Sequence, residues 1–447
     1  MSEPAANIWE VPWCHMEAKT LYLQEYEART IPESRQELHD VFSSIPRGPF
    51  HLVDVKEIRT DQSYLVFTPN SRVGVQVIEG FTIYVLPKVR SADFLTMANY
   101  AFDLPDFWDQ ELVNLAKQPR NLIAIFITLF LLRVKDFVSK DLKRSFIKRE
   151  EDLTSKIKGK VLLPAYLQRN MPTFNNHTVP CQYHDITYDC LENRIILYTI
   201  DVIQKVLPQV AFSQPLRGTM QRLCTFIRSR LSSVSYQRIG LADFNRVRYT
   251  GKFRKYQPVH ELCKMFLESL QIEMKRGQVN FRGFYLDMNL LFENFVIGVL
   301  RREGKLDVDY QTKRAFAVGK EKKTIRPDGW LEEHNVLLDT KYKAFFETSV
   351  HEETVNLQSM KIRHTDIYQI LAYCNHSSFQ DAAGILIYPG FSTGHLQGKE
   401  EYYVIKGFNR DLYAVLIDLN FTYEGGKPRE ITEFVERFKQ IIKTQNK

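Results

Sequence analysis

At 447 residues the chain is longer than one hydrophobic core ordinarily serves, so two or three domains are expected, and a 44% hydrophobic content is ample to fill them. The 60 Lys and Arg against 53 Asp and Glu leave a net charge of +7, an excess that suits a polyanionic partner without requiring one. The cysteines, Cys14, Cys181, Cys190, Cys224, Cys263 and Cys374, include no C-x-x-C pair, which argues against a zinc ribbon or a disulfide framework and fits a reducing, cytoplasmic setting.

The start, MSEPAANIWEVPW, has acid and proline where a signal peptide needs a basic end and an apolar core, so secretion is not expected. Residues 1–91 read as a β-rich module. HLVDVKEI, SYLVFTP, VGVQVIEG and FTIYVLPKV are short strands, with turn signals at Pro69-Asn70 and Gly80. Residues 92–275 change to helical spacing in ELVNLAKQ, NLIAIFITLFLLRVKDFV, NRIILYTIDVIQKVL and VHELCKMFLESLQIEM, with a strand-like piece around Lys160–Leu167. The run Leu122–Leu132 is strongly apolar but falls well short of the ~20 residues a spanning helix needs, so it reads as a core helix and no membrane partner is expected.

Residues 276–447 mix both types. A helix LDMNLLFENFVIGVLRR is followed by strands around Leu306–Tyr310 and Ala315–Val318 and by the stretch IRPDGWLEEHNVLLDTKYK. After these come a helix HTDIYQILAYC, strands AGILIYP, EYYVIKGF and LYAVLIDLN, and a closing helix EITEFVERFKQIIK. The alternation predicts an α/β class with a mixed sheet flanked by helices. No G-x-x-x-x-G-K-[ST] loop is present, so the chain is not expected to bind a nucleotide by that route.

Chemistry concentrates in this last part. In LLDTKYK, strand alternation puts Asp339 and Lys341 on one face and Thr340 on the other. Asp328 stands a hairpin's length upstream, so two carboxylates converge where one Mg²⁺ would need only a pair of acids plus water. The plain alternative is a surface ion pair of little worth. Glu293 sits among Leu290, Val296 and Ile297 at helical spacing, an acid aimed at an apolar surface unless it snorkels at the helix margin. On HTDIYQILAYC, Ile367, Ile370, Leu371 and Cys374 form the buried stripe, while Gln369 and Tyr373, with Asp366, form a second face. That face either positions a phosphate or makes ordinary margin hydrogen bonds.

The order Glu293, Arg326-Pro327-Asp328, LLDTKYK, Gln369-x-x-x-Tyr373 and GILIYP resembles the PD-(D/E)XK nuclease superfamily in its RecB-like form, and more closely the McrC family. Upstream, GFTIYVLPKV resembles that family's N-terminal sheet, and YHDITYDCLENRIILYT, with Asp189, Asn193 and Arg194, its helical entry. The likeness runs from about residue 65 onwards; the first sixty or so residues, including WEVPW, do not align. The resemblance implies Asp328 and Asp339 as ligands of one or two Mg²⁺ ions, Lys341 as the catalytic lysine and Glu293 as an auxiliary catalytic acid. Gln369 and Tyr373 become supporting contacts near DNA.

It further implies a nuclease subunit of a modification-dependent restriction system. An McrB-like AAA+ GTPase receives the N-terminal module in its pore, translocates double-stranded DNA, and itself recognises modified cytosine. Two other readings remain open: a non-cleaving subunit that stimulates the GTPase and grips DNA, and a stand-alone RecB-like nuclease. Basic residues in KDLKRSFIKRE and SKIKGK, and Arg246, Arg248, Lys252, Arg254 and Lys255 interleaved with aromatics, suit phosphate contacts that do not read bases, although most charge runs are only solvated faces.

Overall fold

The computed structural model describes residues 20–26, 29–32, 52–59, 63–78, 81–89, 91–103, 122–140, 142–172, 177–210, 212–275, 278–318, 321–343, 362–379, 381–390, 403–406, 408–409, 411–424 and 427–445. WEVPW and ELVNLAKQ lie outside them. The chain divides into two compact units, residues 1–125 with 282–447, and residues 126–281.

In the first unit the four expected N-terminal strands are Val53–Arg59, Ser63–Pro69, Arg72–Ile78 and Phe81–Leu86. The turn at Asn70 closes through its side chain, whose Oδ1 accepts from the Arg72 N–H at 2.8 Å. Arg72–Ile78 pairs antiparallel with Phe81–Leu86 on one side and with Gly283–Asp287 on the other. Phe81–Leu86 in turn pairs parallel with Thr20–Gln24. Ser63–Pro69 sits between Arg29–Pro32 and Val53–Arg59 in a separate three-stranded sheet.

Asp287 ends its strand and caps the helix Met288–Arg302, its carboxylate accepting from the Asn289 N–H at 2.9 Å. That helix buries Leu291, Phe292, Phe295, Val299 and Leu300, an i, i+3, i+4 stripe, and packs on the helix Ser91–Ala101, with Tyr100 edge-on to Phe295. The approach depends on Gly298. A Cβ there would stand 2.1 Å from the Tyr100 carbonyl oxygen, a backbone atom that moves only if the helices part. Gly298→Ala is therefore expected to cost about 1–3 kcal/mol, read as a lower urea midpoint at unchanged slope.

A six-stranded mixed sheet runs in the order Asp309–Tyr310, Gly329–Leu331, Val336–Thr340, Ala383–Gly390, Leu412–Asp418, Tyr403–Ile405. Its three central strands are parallel to one another, and the outer pairings are antiparallel. On one face Leu337, Leu386 and Leu416 pack with Ile370 and Cys374 of the helix His364–Cys374. Helix Arg429–Gln445 applies Ile431, Phe434, Val435, Phe438, Ile441 and Ile442, an amphipathic stripe, and contacts Leu412–Asp418.

The apolar run forms the core helix Leu122–Lys140, which belongs to the second unit from Phe126 onwards, with Phe126 and Phe130 against Phe266. Among the described residues no helix is long and apolar enough to cross a membrane. Helices Leu191–Val206, Gln214–Arg230 and Tyr256–Ser269 complete the helical part.

This stretch also carries strands that the helical spacing did not predict. Two ten-residue strands, Ser145–Thr154 and Thr178–Thr187, pair antiparallel along their whole length, and QIEM belongs to a strand, Leu270–Lys275. Nearly every side chain of SFIKREEDLT is exposed, so no buried face imposed a period of two on the sequence. Its partner Thr178–Thr187 supplies the small buried cluster, Cys181 and Tyr183 with Leu153, and the rest of the ladder is backbone hydrogen bonding. The residues singled out in YHDITYDCLENRIILYT serve this architecture. Arg194 grips Asp189 through Nε at 2.6 Å and Nη2 at 2.9 Å, holding that carboxyl well below its usual range. Asn193 donates to the Lys143 and Tyr188 carbonyls and accepts from the Tyr256 hydroxyl, tying the helix to the root of the strand Ser145–Thr154.

Candidate active site

The strand Val336–Thr340 starts with three fully buried apolar residues and ends in two polar ones. Its parallel neighbour Ala383–Gly390 extends the ladder one residue further, the Lys341 N–H donating to the Ile387 carbonyl at 2.8 Å. Lys341 is thereby kept extended, and its Nζ lies 2.6 Å from Asp339 Oδ2. Asp339 follows Leu337 on the face covered by helix His364–Cys374, so Gln369 reaches it. The Gln369 Nε2 stands 3.4 Å from Asp339 Oδ1 and 2.8 Å from the Tyr373 hydroxyl, while its Oε1 accepts from Lys341 Nζ at 3.1 Å.

Asp328 arrives on the returning arm of the hairpin. Gly329 pairs with Leu338, and the Asp328 N–H donates to the Leu338 carbonyl at 3.1 Å. Its Oδ2 accepts from the Thr340 N–H at 2.7 Å and the Thr340 hydroxyl at 2.8 Å. Thr340 takes the opposite face, as strand alternation requires, and from there orients the second acid. Sequence reasoning passed over that function, although a threonine between the two charged residues of a D-x-K triplet was its signal.

Glu293 joins from the helix Met288–Arg302, half-buried, with Oε1 accepting from Gln311 Nε2 at 2.8 Å and a further bond from Tyr310. The helical spacing predicted an acid facing an apolar surface; the structure gives its carboxylate the polar side chains of Gln311 and Tyr310. Asp366 departs from expectation. It turns into the core instead of sharing the Gln369 and Tyr373 face, accepting from the Tyr388 hydroxyl at 2.9 Å and pairing with Lys343 at 2.5 Å. Asp366 and Ile370 are one turn apart, and both are buried, so the apolar side of the helix extends over Asp366.

Burial and mutual repulsion dominate the electrostatics. Desolvation, then the charge of Asp328, pushes Asp339 up to about 7 despite Lys341. The same two causes push Glu293 up to about 8, and burial raises Asp328. Lys341 is also raised, its desolvation outweighed by the surrounding acids, and stays protonated at neutral pH. Three acids that hold their protons this tightly are short of positive charge. Carboxylates are hard oxygen donors, so the set fits a divalent cation such as Mg²⁺. Among the described residues no three His, Cys, Asp or Glu side chains stand close enough to share one ion, so protein ligation would be by a pair. Asp328 and Asp339 would hold it, with water completing the shell.

Tyr342, next to Lys341, is buried against Phe292 and donates to Glu25 Oε1 at 2.7 Å. Glu25 directly follows the strand Thr20–Gln24, also accepts from the Lys88 N–H at 2.8 Å, and is pushed by burial up to about 7. A folded-state pKa above the unfolded value near 4.5 means the native state holds the proton more tightly. Stability is then full below about pH 4.5 and is lost as pH rises through 7. Glu25→Gln should come closest to the parent at pH 4 and exceed it by up to about 3 kcal/mol at pH 8, measured by urea unfolding at both values.

The basic residues proposed for DNA lie in the other unit. Arg246 is exposed and paired with Asp243 at 3.1 Å, Arg248 and Arg254 are exposed, and the Lys252 side chain lies outside the described residues. In the upstream cluster, Arg149 and Lys158 both pair with Asp185. Among the described cysteines, Cys181, Cys190, Cys224 and Cys263 are free thiols.

Fold and site together define an α/β protein whose mixed sheet carries a buried acid and a lysine at the end of a central strand, with a second acid on the neighbouring hairpin arm and a third supplied by a helix. A family profile described as McrBC 5-methylcytosine restriction system component matches residues 68–389, and the chain belongs to that family. A comparison with curated proteins found no match. Among solved structures the chain is similar to one in a refined half-complex from a tetradecameric assembly of Thermococcus gammatolerans McrB AAA+ hexamers with bound McrC. Identity is 18%, coverage is 94% of this chain and 100% of that chain, and the TM-score is 0.48. It is also similar to one in the cryo-EM structure of the Thermococcus gammatolerans McrBC complex, at 20% identity, 63% and 87% coverage and a TM-score of 0.40.

Proposed function

We propose that this chain is the DNA endonuclease subunit of an McrBC-like restriction system, with a PD-(D/E)XK nuclease domain. It would cut phosphodiester bonds with Mg²⁺ when assembled with, and stimulating, an AAA+ GTPase translocase. The observation that carries this reading is the convergence of Asp328, Asp339 and Lys341 at one strand end, with Gln369 linking lysine, acid and Tyr373.

In this reading Asp328 and Asp339 hold the metal, which when bound acts as a Lewis acid and makes a coordinated water acidic. Lys341, kept protonated by the acids around it, orients the attacking water and offsets charge developing on the phosphate. Gln369 restrains Lys341 and Asp339 at once, so their spacing survives the approach of DNA. Glu293 assists from the Asp328 side. The N-terminal module docks on the GTPase, and Arg246, Arg248, Lys252 and Arg254 grip phosphates without reading sequence.

The test is reconstitution with the GTPase partner, GTP, Mg²⁺ and plasmid carrying modified cytosine. Double-strand cutting is expected, stopped separately by EDTA, by omitting the partner and by unmodified plasmid. Cutting that persists in EDTA removes the metal, cutting without the partner removes the dependence, and no cutting under any condition removes the nuclease.

A further inference from the structure

Gln311 follows the short edge strand Asp309–Tyr310 and holds a backbone φ of +49°, the left-handed region that L side chains rarely adopt. A glutamine kept there costs on the order of 1 kcal/mol or more, so the surroundings must over-determine it. Two contacts do so. Its backbone N–H donates to the Asp328 carbonyl at 3.0 Å, and its side-chain amide donates to Glu293 Oε1 at 2.8 Å. Asp328 is then fixed at three points: its N–H on Leu338, its carbonyl under Gln311, its carboxylate on Thr340. No sequence pattern singled out Gln311.

We infer that Gln311 is a positioning residue, a neutral brace that ties Glu293 to the backbone of Asp328 and so steadies the acid pair, Asp328 and Asp339, that would hold a divalent cation. The inference deepens the proposed function and rests on it. Glu293 comes from a helix and Asp328 from the arm of a hairpin, so nothing in one element fixes the other, and ionising both acids sets like charges against each other. A lysine or arginine at position 311 would neutralise the acids, and would thereby compete with the cation. An amide donates a hydrogen bond and leaves the negative charge available. The left-handed backbone is what allows one residue to turn its main chain toward the strand and its side chain toward the helix.

The experiment measures Mn²⁺ binding to the full chain, without DNA or partner, by electron paramagnetic resonance titration, alongside thermal unfolding. Gln311→Ala removes the amide. Gln311→Asn keeps an amide and tolerates the left-handed backbone but is one methylene too short, so it reads the brace even where the alanine variant fails to fold. Each is expected to weaken Mn²⁺ binding about 10- to 100-fold at an unchanged melting temperature. In a Glu293→Ala background the same substitutions should add nothing, because the brace acts through Glu293. Parental affinity in the Gln311 variants, or an equal loss with Glu293 absent, overturns the inference. If the parent itself binds no Mn²⁺ and Asp328→Ala changes nothing, the proposed function falls as well. Tight, Asp328-dependent binding by the parent together with unaffected Gln311 variants sinks the brace alone.

Discussion

Asp339→Asn is expected to reduce cleavage by the reconstituted complex about a thousandfold or more while leaving the chain at least as stable as the parent. The activity arm follows from losing one of the two proposed carboxylate ligands; metal ions supply several kcal/mol of transition-state stabilisation, and each 1.36 kcal/mol is a factor of ten. The stability arm follows from the ion-free electrostatics. Asp339 is 1% exposed, and its carboxyl is pushed up to about 7 by burial and by Asp328, so ionising it works against folding. An amide of the same shape removes that repulsion and keeps one oxygen to accept from Lys341. Opposite signs on activity and stability are what a functional site produces and a purely structural ion pair does not. The checks are plasmid linearisation rate and urea midpoint on the same preparations; parental cutting by Asp339→Asn would remove the residue from the site.

Lys341→Ala is expected to lower cleavage by about a hundredfold to a thousandfold, the usual cost of deleting one donor aimed at developing charge, with Mn²⁺ and DNA binding within a few-fold of the parent. Its stability effect runs the other way from that of Asp339→Asn. Stripping the cation from a buried pair costs about 3–5 kcal/mol when the remaining charge stays ionised. Asp339 already titrates near neutrality and takes up a proton instead, so a penalty nearer ~1 kcal/mol is expected. Single-turnover cutting at saturating DNA separates the chemical step from binding. An unchanged single-turnover rate would make the lysine a structural partner of Asp339 and nothing more.

How far the site was legible varies residue by residue. Asp339 and Lys341 were readable because strand alternation is a rigid period, and LLDTKYK has an apolar run long enough to set the phase. Asp328 was readable from hairpin length, and Glu293, Gln369 and Tyr373 from helical spacing. Asp366 was misread because one turn separates it from both faces, and only the packing of Tyr388 and Lys343 selects between them. Thr340 and Gln311 were missed for different reasons. Thr340 acts on the face away from the motif, while Gln311 acts through a backbone conformation that residue type does not report.

The amino-acid sequence by itself determined the local periods: which runs become strands and helices in the ends of the chain, which side chains share a face, and hence that two acids and a lysine meet at one strand end. It also carried the family, because the ordered motifs survive as residue identities. Only the tertiary structure decided that residues 1–125 and 282–447 form one compact unit, that a pair of long strands, one of them solvent-facing, rises within the helical middle, and that Glu25 reaches Tyr342 beside the proposed catalytic lysine. The physical reason is that periodicity is enforced by neighbours three or four positions away. Contacts such as Glu25 with Tyr342 join residues hundreds of positions apart, and their energy appears only after the intervening chain has folded.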